Sequence, residues 1–461
     1  MNIYLHLEIS VRELDSKLLL ATLAATKGHQ VIVSDLEGIL KGINSGVLMP
    51  GIFHTKSITP TSNKIARHEF LLSKGFKITS IDEEAGLDID GYEEFSKSRY
   101  SDKTMEQASA VFAWGEEDEF FLKKFYTNHK KKIYKTGSPR VDLWKPFFSN
   151  YWGIPKDTPN KPFLLVSSNT GFANYKKPFH ELIKMKNELG YYKRMPELLK
   201  KDFEMASMEF NKMHSFIEAI KYLAKNNNGY DIVLRPHPAE NLEVWEFYLE
   251  EIKNVFVIHK DSISAWVNNA FAVMHNGCTT AIEAIISKKP VITYIPFEQS
   301  LGNEIPNRLG HIVKSLENLS KKINFLFDLE ESKIKKQNLP IEKIHDDIKK
   351  KIYFDDNELA AEKILKIWEN LDDKSLSRSV SWIKYYWILK FINLRKLGGK
   401  IKKKLFPSLF GYYSENNKIL EFEKKDINDR VQKILKILKL DDKIECKILS
   451  KRTILIKKIY T

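Results

Sequence analysis

Cysteine is nearly absent from this chain of 461 residues, which contains only Cys278 and Cys446. Two cysteines provide neither a disulfide framework nor the ligand spacing of a zinc site, so we expect a reducing, cytoplasmic environment. The chain also lacks an apolar run near the roughly 20 residues that a membrane-spanning helix needs. Its first residues, MNIYLHLEISVREL, place no basic segment before an apolar one and therefore do not predict a signal peptide.

Common nucleotide motifs are missing as well. The sequence has neither a Walker motif nor a Gly-x-Gly-x-x-Gly motif, which argues against a P-loop ATPase and against a dinucleotide-dependent dehydrogenase. It also shows no cluster of metal ligands and no recognised nucleic-acid-binding module, so we expect no nucleic-acid partner.

Positive charge is in excess: 74 Lys and Arg against 60 Asp and Glu give a formal net charge of +14. Such an excess suits an anionic partner. It concentrates between Lys374 and Leu405, where ten basic residues and no acidic ones alternate with aromatic residues. This pattern favours peripheral contact with an anionic membrane surface. The alternative is a helix that braces the N-terminal domain with its aromatic side chains in the core, and both can hold.

Two segments have the pattern of a buried strand, a polar turn and the start of a helix. They are DIVLRPHPAEN (Asp231–Asn241) and FAVMHNGCTTAIEA (Phe271–Ala284). In a parallel sheet, ligands collect beyond the carboxyl ends of the strands and near the N-termini of helices, where anions are favoured. These two turns therefore predict a phosphate-binding site.

The residue types in these turns suit a nucleotide. Pro236 and Pro238 fix the backbone on either side of His237, and Gly277 permits close approach of the backbone. The hydroxyls of the two threonines after Cys278 can cap the helix and bind a phosphate, and Glu283 can bind ribose hydroxyls. The turn after a further strand, Phe163–Val166, should line the same site. The predicted nucleotide-binding residues are Ser167, Ser168, Asn169, Arg235, His237, Pro238, His275, Gly277, Thr279, Thr280 and Glu283.

Arg-Pro-His-Pro followed by His-x-Gly-x-Thr-Thr-Ala-x-Glu-Ala resembles the nucleotide-binding half of GT-B glycosyltransferases. The resemblance is strongest to bacterial surface-carbohydrate biosynthesis proteins of capsule and lipopolysaccharide, and it extends to bacterial sialyltransferases and Kdo transferases. In those enzymes the His-Pro motif and a hydroxyl-bearing motif hold the phosphate of a CMP-sugar. Glycerophosphotransferases of teichoic acid synthesis share an Arg-x-His-Pro segment and supply the main alternative.

The N-terminal part of the sequence offers candidates for an acceptor site. Glu8, Arg12 and Glu13 follow the first predicted strand, and Arg140 follows the last strand of this domain. A run of three carboxylates, Asp82–Glu84, follows another strand. Mutual repulsion and partial burial raise the pKa of such a group, which makes it a general base. The run is similar to the acidic motif that supplies the base in GT-B sialyltransferases. Because Ala85 stands before Gly86, Glu83 and Glu84 are both candidates, with Asp82 behind them.

The predicted fold is α/β of the GT-B type, with two Rossmann-like domains facing a central cleft. We expect an N-terminal acceptor domain over 1–145, a linker over 146–162, a nucleotide-sugar domain over 163–372 and a basic, helical extension over 373–461. Val47–Gly51 is predicted as a third strand and turn, and the chain from Ile312 on as helical until a short α then β appendage at 426–461.

Together the residues and the resemblance predict an inverting, metal-independent glycosyltransferase that needs no cofactor. It would move an acidic sugar, Kdo or a sialic-type nonulosonic acid, from a CMP donor to a surface glycan or its lipid-linked precursor. Three alternatives stay open at this point: transfer of glycerol or ribitol phosphate from a CDP donor, epimerisation of a UDP-sugar, and a non-catalytic scaffold of capsule assembly.

Overall fold

A computed structural model of the chain describes residues 1–85, 92–299, 304–331, 346–355, 357–371, 380–405 and 421–460. The chain divides into two compact units. We call residues 1–143 with 349–461 the N-terminal unit, and residues 144–348 the central unit. Among the described residues, none of the helices combines the length and the apolar character that crossing a membrane requires.

The first part of the N-terminal unit alternates strands with helices. Its strands are β1 (Asn2–His6), β2 (Gln30–Ser34), β3 (Ile52–Thr55), β4 (Lys77–Ile81), β5 (Ala108–Ala113) and β6 (Ile133–Lys135). Its helices are α1 (Ser10–Thr26), α2 (Leu36–Asn44), α3 (Ser62–Ser73), α4 (Tyr92–Arg99), α5 (Asp102–Gln107), α6 (Glu116–Phe125) and α7 (Pro139–Asp142), with a 3-10 helix over Thr127–Lys132.

These six strands form a parallel sheet in the order β2-β1-β3-β4-β5-β6. The strands are apolar on both faces because helices cover a parallel sheet on both sides. The first β-α-β turn depends on Gly28, whose φ of +84° ends α1 in a left-handed conformation that glycine adopts readily. The order β2-β1-β3-β4-β5 is that of flavodoxin-like doubly wound folds.

The central unit contains six strands. They are β7 (Phe163–Ser167), β8 (Asp231–Arg235), β9 (Val255–Val257), β10 (Ala272–His275), β11 (Val291–Tyr294) and β12 (His311–Val313). Its helices are α8 (Phe179–Glu188), α9 (Tyr191–Arg194), α10 (Glu197–Lys225), α11 (Leu242–Leu249), α12 (Ile263–Asn269), α13 (Thr280–Ile286), α14 (Glu304–Asn307) and α15 (Leu316–Glu331), with a 3-10 helix over Pro146–Tyr151. α16 (Asp346–Lys351) spans the boundary between the units.

All six central strands are parallel, in the order β12-β11-β10-β7-β8-β9. Counted from the first strand of the unit, this is the strand order of the Rossmann fold. Buried side chains of the sheet pack against α10 and α15, with Trp245 of α11 fully buried among them. The prediction of two Rossmann-like α/β units is confirmed.

The C-terminal part of the chain returns to the N-terminal unit. It forms α17 (Ala360–Leu371), α18 (Trp382–Leu405), α19 (Lys424–Ile437), β13 (Ile444–Ser450) and β14 (Thr453–Lys458). β14 pairs antiparallel with β2, so the terminal hairpin covers what would otherwise be an exposed sheet edge. Trp368 of α17 is buried and its indole donates to the hydroxyl of Thr79 at 3.0 Å.

The structure divides the chain differently from the sequence-based boundaries. Residues 349–372 belong with the N-terminal unit, because α17 packs on α1 and receives its N-terminal cap from the carboxylate of Asp142. The segment predicted as a linker packs Phe148 and Tyr151 inside the central unit. Residues 444–458 are part of a sheet rather than a separate appendage.

Two secondary-structure predictions were wrong. Val47 and Leu48 are buried, as a strand pattern suggests, but they lie in a turn, and the third strand is β3, at Ile52–Thr55. The region after Ile312 was predicted to be helical, yet β12 extends the central sheet there. Each strand is only three or four residues long, too short for its alternation to be distinguished from a turn.

Candidate functional site

The strand order of the central sheet reverses between β7 and β10, and ligands of doubly wound folds bind beyond the strand ends at such a switch point. β7 ends at Ser167 and pairs with β10, so the turns that follow these strands are neighbours. The hydroxyl of Ser167 donates to the hydroxyl oxygen of Thr280 at 3.3 Å. The thiol of Cys278 donates to the same oxygen at 3.2 Å. The structure thus brings Ser167 and Thr280 into direct contact.

A second bond joins the same two turns. The side-chain amide of Asn169 donates to the carbonyl of Gly277 at 3.0 Å. Gly277 has a φ of +75°, a left-handed conformation in which a larger residue would be strained. Its N–H donates to the side-chain oxygen of Asn307 at 2.5 Å. The turn after β10 is therefore held from both sides.

Glu240 was not predicted as a site residue, yet its buried carboxylate connects three elements. One oxygen accepts from the backbone N–H groups of Thr170 at 2.9 Å and His237 at 3.1 Å. The other accepts from the hydroxyl of Ser168 at 2.8 Å and the indole of Trp245 at 2.7 Å. A buried carboxylate is costly unless it is hydrogen-bonded, and these four bonds satisfy it. The turn after β7, the turn after β8 and α11 are consequently joined.

The ring of His237 accepts one hydrogen bond, which fixes its tautomer. Its Nδ1 accepts from the N–H of Ala239 at 3.2 Å, so in the neutral ring Nε2 carries the proton. Desolvation by the neighbouring turns lowers the pKa of His237, an effect that Glu240 opposes and Lys176 reinforces. The ring and the adjacent Pro238 lie at the surface. Near neutral pH this side chain is therefore an uncharged N–H donor at the sheet edge.

Arg235 was expected to orient the neighbouring histidine or to reach a phosphate, which stays a prediction, and in the structure its guanidinium binds backbone carbonyls. Its Nη1 donates to the carbonyls of Ile258 at 3.3 Å and Lys260 at 2.6 Å, and its Nη2 donates to that of Asp261 at 3.0 Å. The guanidinium lies over the ring of Trp266, 5.8 Å from its centroid. Burial lowers the pKa of Arg235 to about 10. Arg235 braces the loop between β9 and α12.

His275 was predicted as a nucleotide contact, which stays a prediction. The ring is fully buried. Its Nδ1 accepts from the N–H of Cys278 at 3.4 Å, and its Nε2 lies 2.8 Å from the hydroxyl oxygen of Thr293, which itself donates to the carbonyl of Leu309. Burial lowers the pKa of His275 to about 3. Both ring nitrogens are hydrogen-bonded inside the protein, so the buried ring of His275 supports the turn after β10.

The start of α13 was expected to be capped by threonine hydroxyls. Thr279 occupies the N-cap position, but its side chain makes no capping hydrogen bond. The hydroxyl of Thr280 faces Ser167 instead. Glu283 is buried in the first turn of the same helix. The contacts of these residues with a phosphate or a ribose remain predictions.

The sheet of the N-terminal unit reverses between β1 and β3, where His6 Nδ1 lies 3.2 Å from the hydroxyl of Thr55. Beyond these strand ends lies a buried group of charges. The ammonium of Lys17 is 3.3 Å from Glu13 and 3.5 Å from Glu83. Burial alone would raise the pKa of Glu13, but Lys17 and neighbouring donors lower it to about 2. One buried cation thus serves two buried carboxylates.

The structure distinguishes the three adjacent carboxylates that were candidates for a general base. Burial raises the pKa of Glu83, and its Oε2 has no hydrogen-bond partner in the part of the chain that the structure describes. Asp82 accepts two bonds from Arg99, at 2.8 and 2.9 Å. Glu84 is half-exposed and pairs with Arg99 at 3.1 Å and Lys56 at 3.8 Å. Only Glu83 combines a raised pKa with an uncommitted oxygen.

The remaining predicted acceptor residues lie around this group. Glu8 pairs with Lys56 at 3.0 Å, and Arg12 donates to Glu13 at 3.3 Å. Arg140 lies close enough to Glu83 to be one of the charges that lower its pKa. The residues predicted from three separate turns are therefore gathered at one edge of the N-terminal sheet.

Sequence reasoning missed Glu240 and Lys17, the two charged residues that hold these edges together. Lys17 lies four residues after Glu13 in a helix whose following residues, Leu18–Ala25, are almost all apolar. A lysine at that spacing within an apolar face is a sign of a buried ion pair. Glu240 lies three residues after His237, where a carboxylate can close the turn through backbone N–H groups.

Three solved structures of similar fold can be compared with the chain. A UDP-GlcNAc 2-epimerase from Methanocaldococcus jannaschii, in complex with UDP-GlcNAc and UDP, is 15% identical, with a TM-score of 0.43 over 80% of this chain and 100% of that one. A glycosyltransferase from Rickettsia africae is 13% identical, with a TM-score of 0.42 over 80% and 98%. The wall teichoic acid polymerase TagF is 12% identical, with a TM-score of 0.39 over 74% and 87%. No family model matches the sequence, and no curated protein is similar to it.

Proposed function

We propose that this chain is a glycosyltransferase that binds a nucleotide-activated sugar at the switch point of its central unit. The proposal is supported by uncharged donors that follow three neighbouring strands of one sheet, β8, β7 and β10. His237 offers an N–H from Nε2, and the hydroxyls of Ser167 and Thr280 touch across the adjacent strands. Donors fixed before the ligand arrives stabilise a phosphate whose negative charge grows as it leaves.

The donor in this proposal is a CMP-linked acidic sugar, Kdo or a sialic-type nonulosonic acid. Its support is the resemblance of the Arg-Pro-His-Pro and His-x-Gly-x-Thr-Thr segments to the CMP-sugar-binding motifs. A departing CMP carries a single phosphate, which requires less neutralisation than a diphosphate. We therefore propose turnover that does not depend on a divalent metal ion.

Glu83 is the proposed general base. Its carboxylate would take the proton of an acceptor hydroxyl while the hydroxyl oxygen attacks the anomeric carbon and the bond to the CMP phosphate breaks. A single displacement of this kind inverts the anomeric centre. A raised pKa favours this role because a base is most effective when its pKa lies near the working pH. The acceptor would be a bacterial surface glycan, of capsule or lipopolysaccharide, or its lipid-linked precursor.

The test is turnover with four donors, CMP-Kdo, CMP-sialic acid, CDP-glycerol and UDP-GlcNAc, each with and without EDTA. We expect transfer from a CMP-sugar that EDTA leaves intact. His237→Ala and Glu83→Gln should each lower kcat by at least about a hundredfold, while the exposed control His180→Ala should retain it. Activity only with CDP-glycerol would assign polyol-phosphate transfer, and conversion of UDP-GlcNAc without an acceptor would assign an epimerase. Normal glycan export with His237→Ala would favour a scaffold.

Contact with an anionic membrane is a further part of the proposal, and α18 supports it. One face of this helix packs Tyr385, Leu389 and Ile392 into the N-terminal core. Another face leaves large apolar side chains exposed, among them Trp387 at 59% and Phe391 at 70%. The structure describes only part of the predicted basic stretch, because residues 372–379 and the side chains of 397–405 lie outside the described part.

Aromatic rings at the surface beside lysines suit the interface of an anionic bilayer. Co-sedimentation with vesicles of phosphatidylglycerol and phosphatidylcholine tests this contact. Trp387→Ser with Phe391→Ser should reduce the bound fraction several-fold, whereas the same change at the exposed Phe247 of the central unit should not. Equal binding by all three proteins would remove α18 from the proposal.

A further inference from the structure

A cationic cavity of about 310 Å³ lies at the switch point of the N-terminal sheet, between β1 and β3. Ser57, Lys64 and Arg67 are among the residues that line it, and the first of these is buried. Glu8 and Lys56 line it too, so the cavity adjoins the proposed acceptor residues, and its other carboxylates are Asp35 and Glu37. Lys64 and Arg67 do not belong to the ion-pair group around Lys17 described above.

Among the described residues, two cations of this cavity, Lys64 and Arg67, form no direct ion pair with its carboxylates, although Glu8 acts on Arg67 at longer range. Lys56 pairs with Glu8 at 3.0 Å, but Lys64 donates to hydroxyls, to Ser57 at 2.6 Å and to Thr59 at 3.2 Å. Within the described ranges, no carboxylate oxygen lies within 4.0 Å of Lys64. The Nε of Arg67 is buried there without a hydrogen-bond partner.

The acidic residues of the cavity have other partners. Lys396 of α18 pairs with Asp35 at 3.1 Å and with Glu37 at 3.0 Å, and Arg395 also pairs with Glu37. Burial lowers the pKa of Lys64 to about 8, and Arg67 adds to the effect. Two partly buried cations that repel each other are stabilised by an anion placed between them.

An apolar groove of about 750 Å³ continues from the cationic cavity. Leu36 and Leu40 on α2 face Ala66 and Phe70 on α3, each pair being one helical turn apart. Leu36, Leu40 and Phe70 pack partly against the core and expose the rest of their surface to the groove. The groove and the cavity share Leu36, Glu37 and Arg67 as lining residues.

A cationic cavity that opens into an apolar groove matches a molecule with an anionic head and a hydrocarbon tail. We propose that the N-terminal unit binds a lipid phosphate, with the phosphate between Lys64 and Arg67 and the first part of the chain between α2 and α3. The inference rests on the proposed function, since it names the acceptor class as lipid-linked and anionic. The arginine suits this junction because its guanidinium binds phosphate while its methylene stem lines the groove.

Binding of decyl phosphate, measured by calorimetry below its micelle concentration and without any nucleotide, tests the inference. Inorganic phosphate and decanol supply the head and the tail separately. We expect decyl phosphate to bind at least tenfold more tightly than either. Arg67→Met should weaken it about tenfold or more by removing a phosphate contact, and Ala66→Glu, at an exposed position, should do so by placing a carboxylate in the groove.

The matched controls are Lys103→Met, an exposed lysine outside the cavity, and Leu72→Glu, an exposed position of α3 outside the groove. Both should bind as the wild type does. Equal affinity for inorganic phosphate would show a simple anion site and overturn the lipid assignment. Unchanged binding by Ala66→Glu would overturn it even if Arg67→Met fails to fold. Because no sugar donor is present, this result is independent of whether the chain transfers a sugar.

Discussion

The turns at the carboxyl ends of the strands are held together by different kinds of side chain in the two sheets. In the central unit, neighbouring turns are joined mainly by hydroxyls, amides and backbone groups, and two buried carboxylates, Glu240 and Glu209, accept from backbone N–H groups of the turn after β7. In the N-terminal unit, Lys17 holds two buried carboxylates, and Lys56 and Arg99 pair with others. Both edges lie where doubly wound folds place their ligands.

This difference matches what each edge would have to do. Neutral hydrogen-bond donors at a sheet edge can bind a phosphate and stabilise the negative charge that develops on it, without changing their own protonation. An edge that accepts a proton needs a carboxylate whose pKa has been raised, and burial raises that of Glu83 although Lys17 opposes the effect. In the proposed function, the donor edge would therefore bind through uncharged groups, and the acceptor edge would depend on buried ion pairs.

The largest effect on this comparison should come from Lys17→Met. The change leaves Glu13 and Glu83 buried without their cation, which costs on the order of 3–5 kcal/mol. The free energy of unfolding of the N-terminal unit should fall by that amount, measured by urea denaturation with hydrogen exchange read separately for each unit. Lys27→Met, at the exposed end of the same helix, is the control.

Adding Glu83→Gln to Lys17→Met should restore part of the lost stability, because one of the two unpaired carboxylates is then neutral. A Lys17→Met protein as stable as the control would show that the buried ion pairs do not hold this edge together.

The next largest effect should come from acid, through the buried histidines. Burial lowers the pKa of His6 and His54 to about 3 and of His68 to about 4 in the N-terminal unit, and that of His275 to about 3 in the central unit. The unfolded chain titrates near pH 6.5 and so binds more protons than the native one below that value. Stability that is present above pH 6.5 is therefore lost as the pH falls from 6.5 towards 4.

A histidine that stays neutral in the native state costs about 1 kcal/mol between pH 6.5 and 5.5, and the loss approaches about 1.4 kcal/mol per pH unit below that. Asp118 acts in the opposite direction, because burial raises its pKa to about 7 and its carboxyl therefore adds stability as the pH falls. His68→Leu should reduce the loss of the free energy of unfolding between pH 6.5 and 5.5 by about 1 kcal/mol, measured by urea denaturation at stepped pH. The same pH dependence in His68→Leu and in the wild type would contradict the account.

Strand patterns predicted where both edges lie, and residue types predicted many of the side chains found there. Apolar runs such as Ile232–Leu234 identify a buried strand, and the position of ligands beyond its end follows from the fold class. The partners of each side chain could not be predicted in this way. Arg235 and His275 have the right types for a phosphate site, but their direction depends on loops that fold from distant sequence.

The unit to which the chain after residue 349 belongs could not be predicted for the same reason. The sequence after residue 349 contains helices of ordinary pattern, and nothing local indicates that Trp368 packs against β4 or that β14 pairs with β2. Such long-range pairings are set by the packing of the whole unit rather than by the periodicity of a segment.

Glu240→Gln should affect the central unit less strongly, by about 2 kcal/mol. The amide can still accept through its oxygen from Thr170 and His237, and the Ser168 hydroxyl can turn to accept from its NH₂ group. The indole of Trp245 cannot reverse its role, so one buried donor loses its partner. Calorimetry should show a lower Tm, and the affinity for CMP should fall because the turn that carries His237 is less well held. Glu246→Gln, exposed on α11, is the control.

The smallest change that tests the neutral edge is Asn169→Ala. It removes the bond from the side-chain amide to the Gly277 carbonyl, which contributes on the order of 1 kcal/mol. Because Asn169 is partly exposed, water can replace the amide at that carbonyl, and the Tm should change by only a few degrees. Affinity for CMP should fall more clearly, by about fivefold, since the two turns would be less well positioned before the ligand arrives.

Asn187→Ala, at an exposed position of α8, provides the comparison for helix content and surface polarity. If Asn169→Ala lowers the Tm and leaves CMP affinity unchanged, the bond between the turns serves only the fold. If affinity falls while decyl phosphate binding to the N-terminal unit stays the same, the two sheet edges work as separate sites, one neutral and one charged.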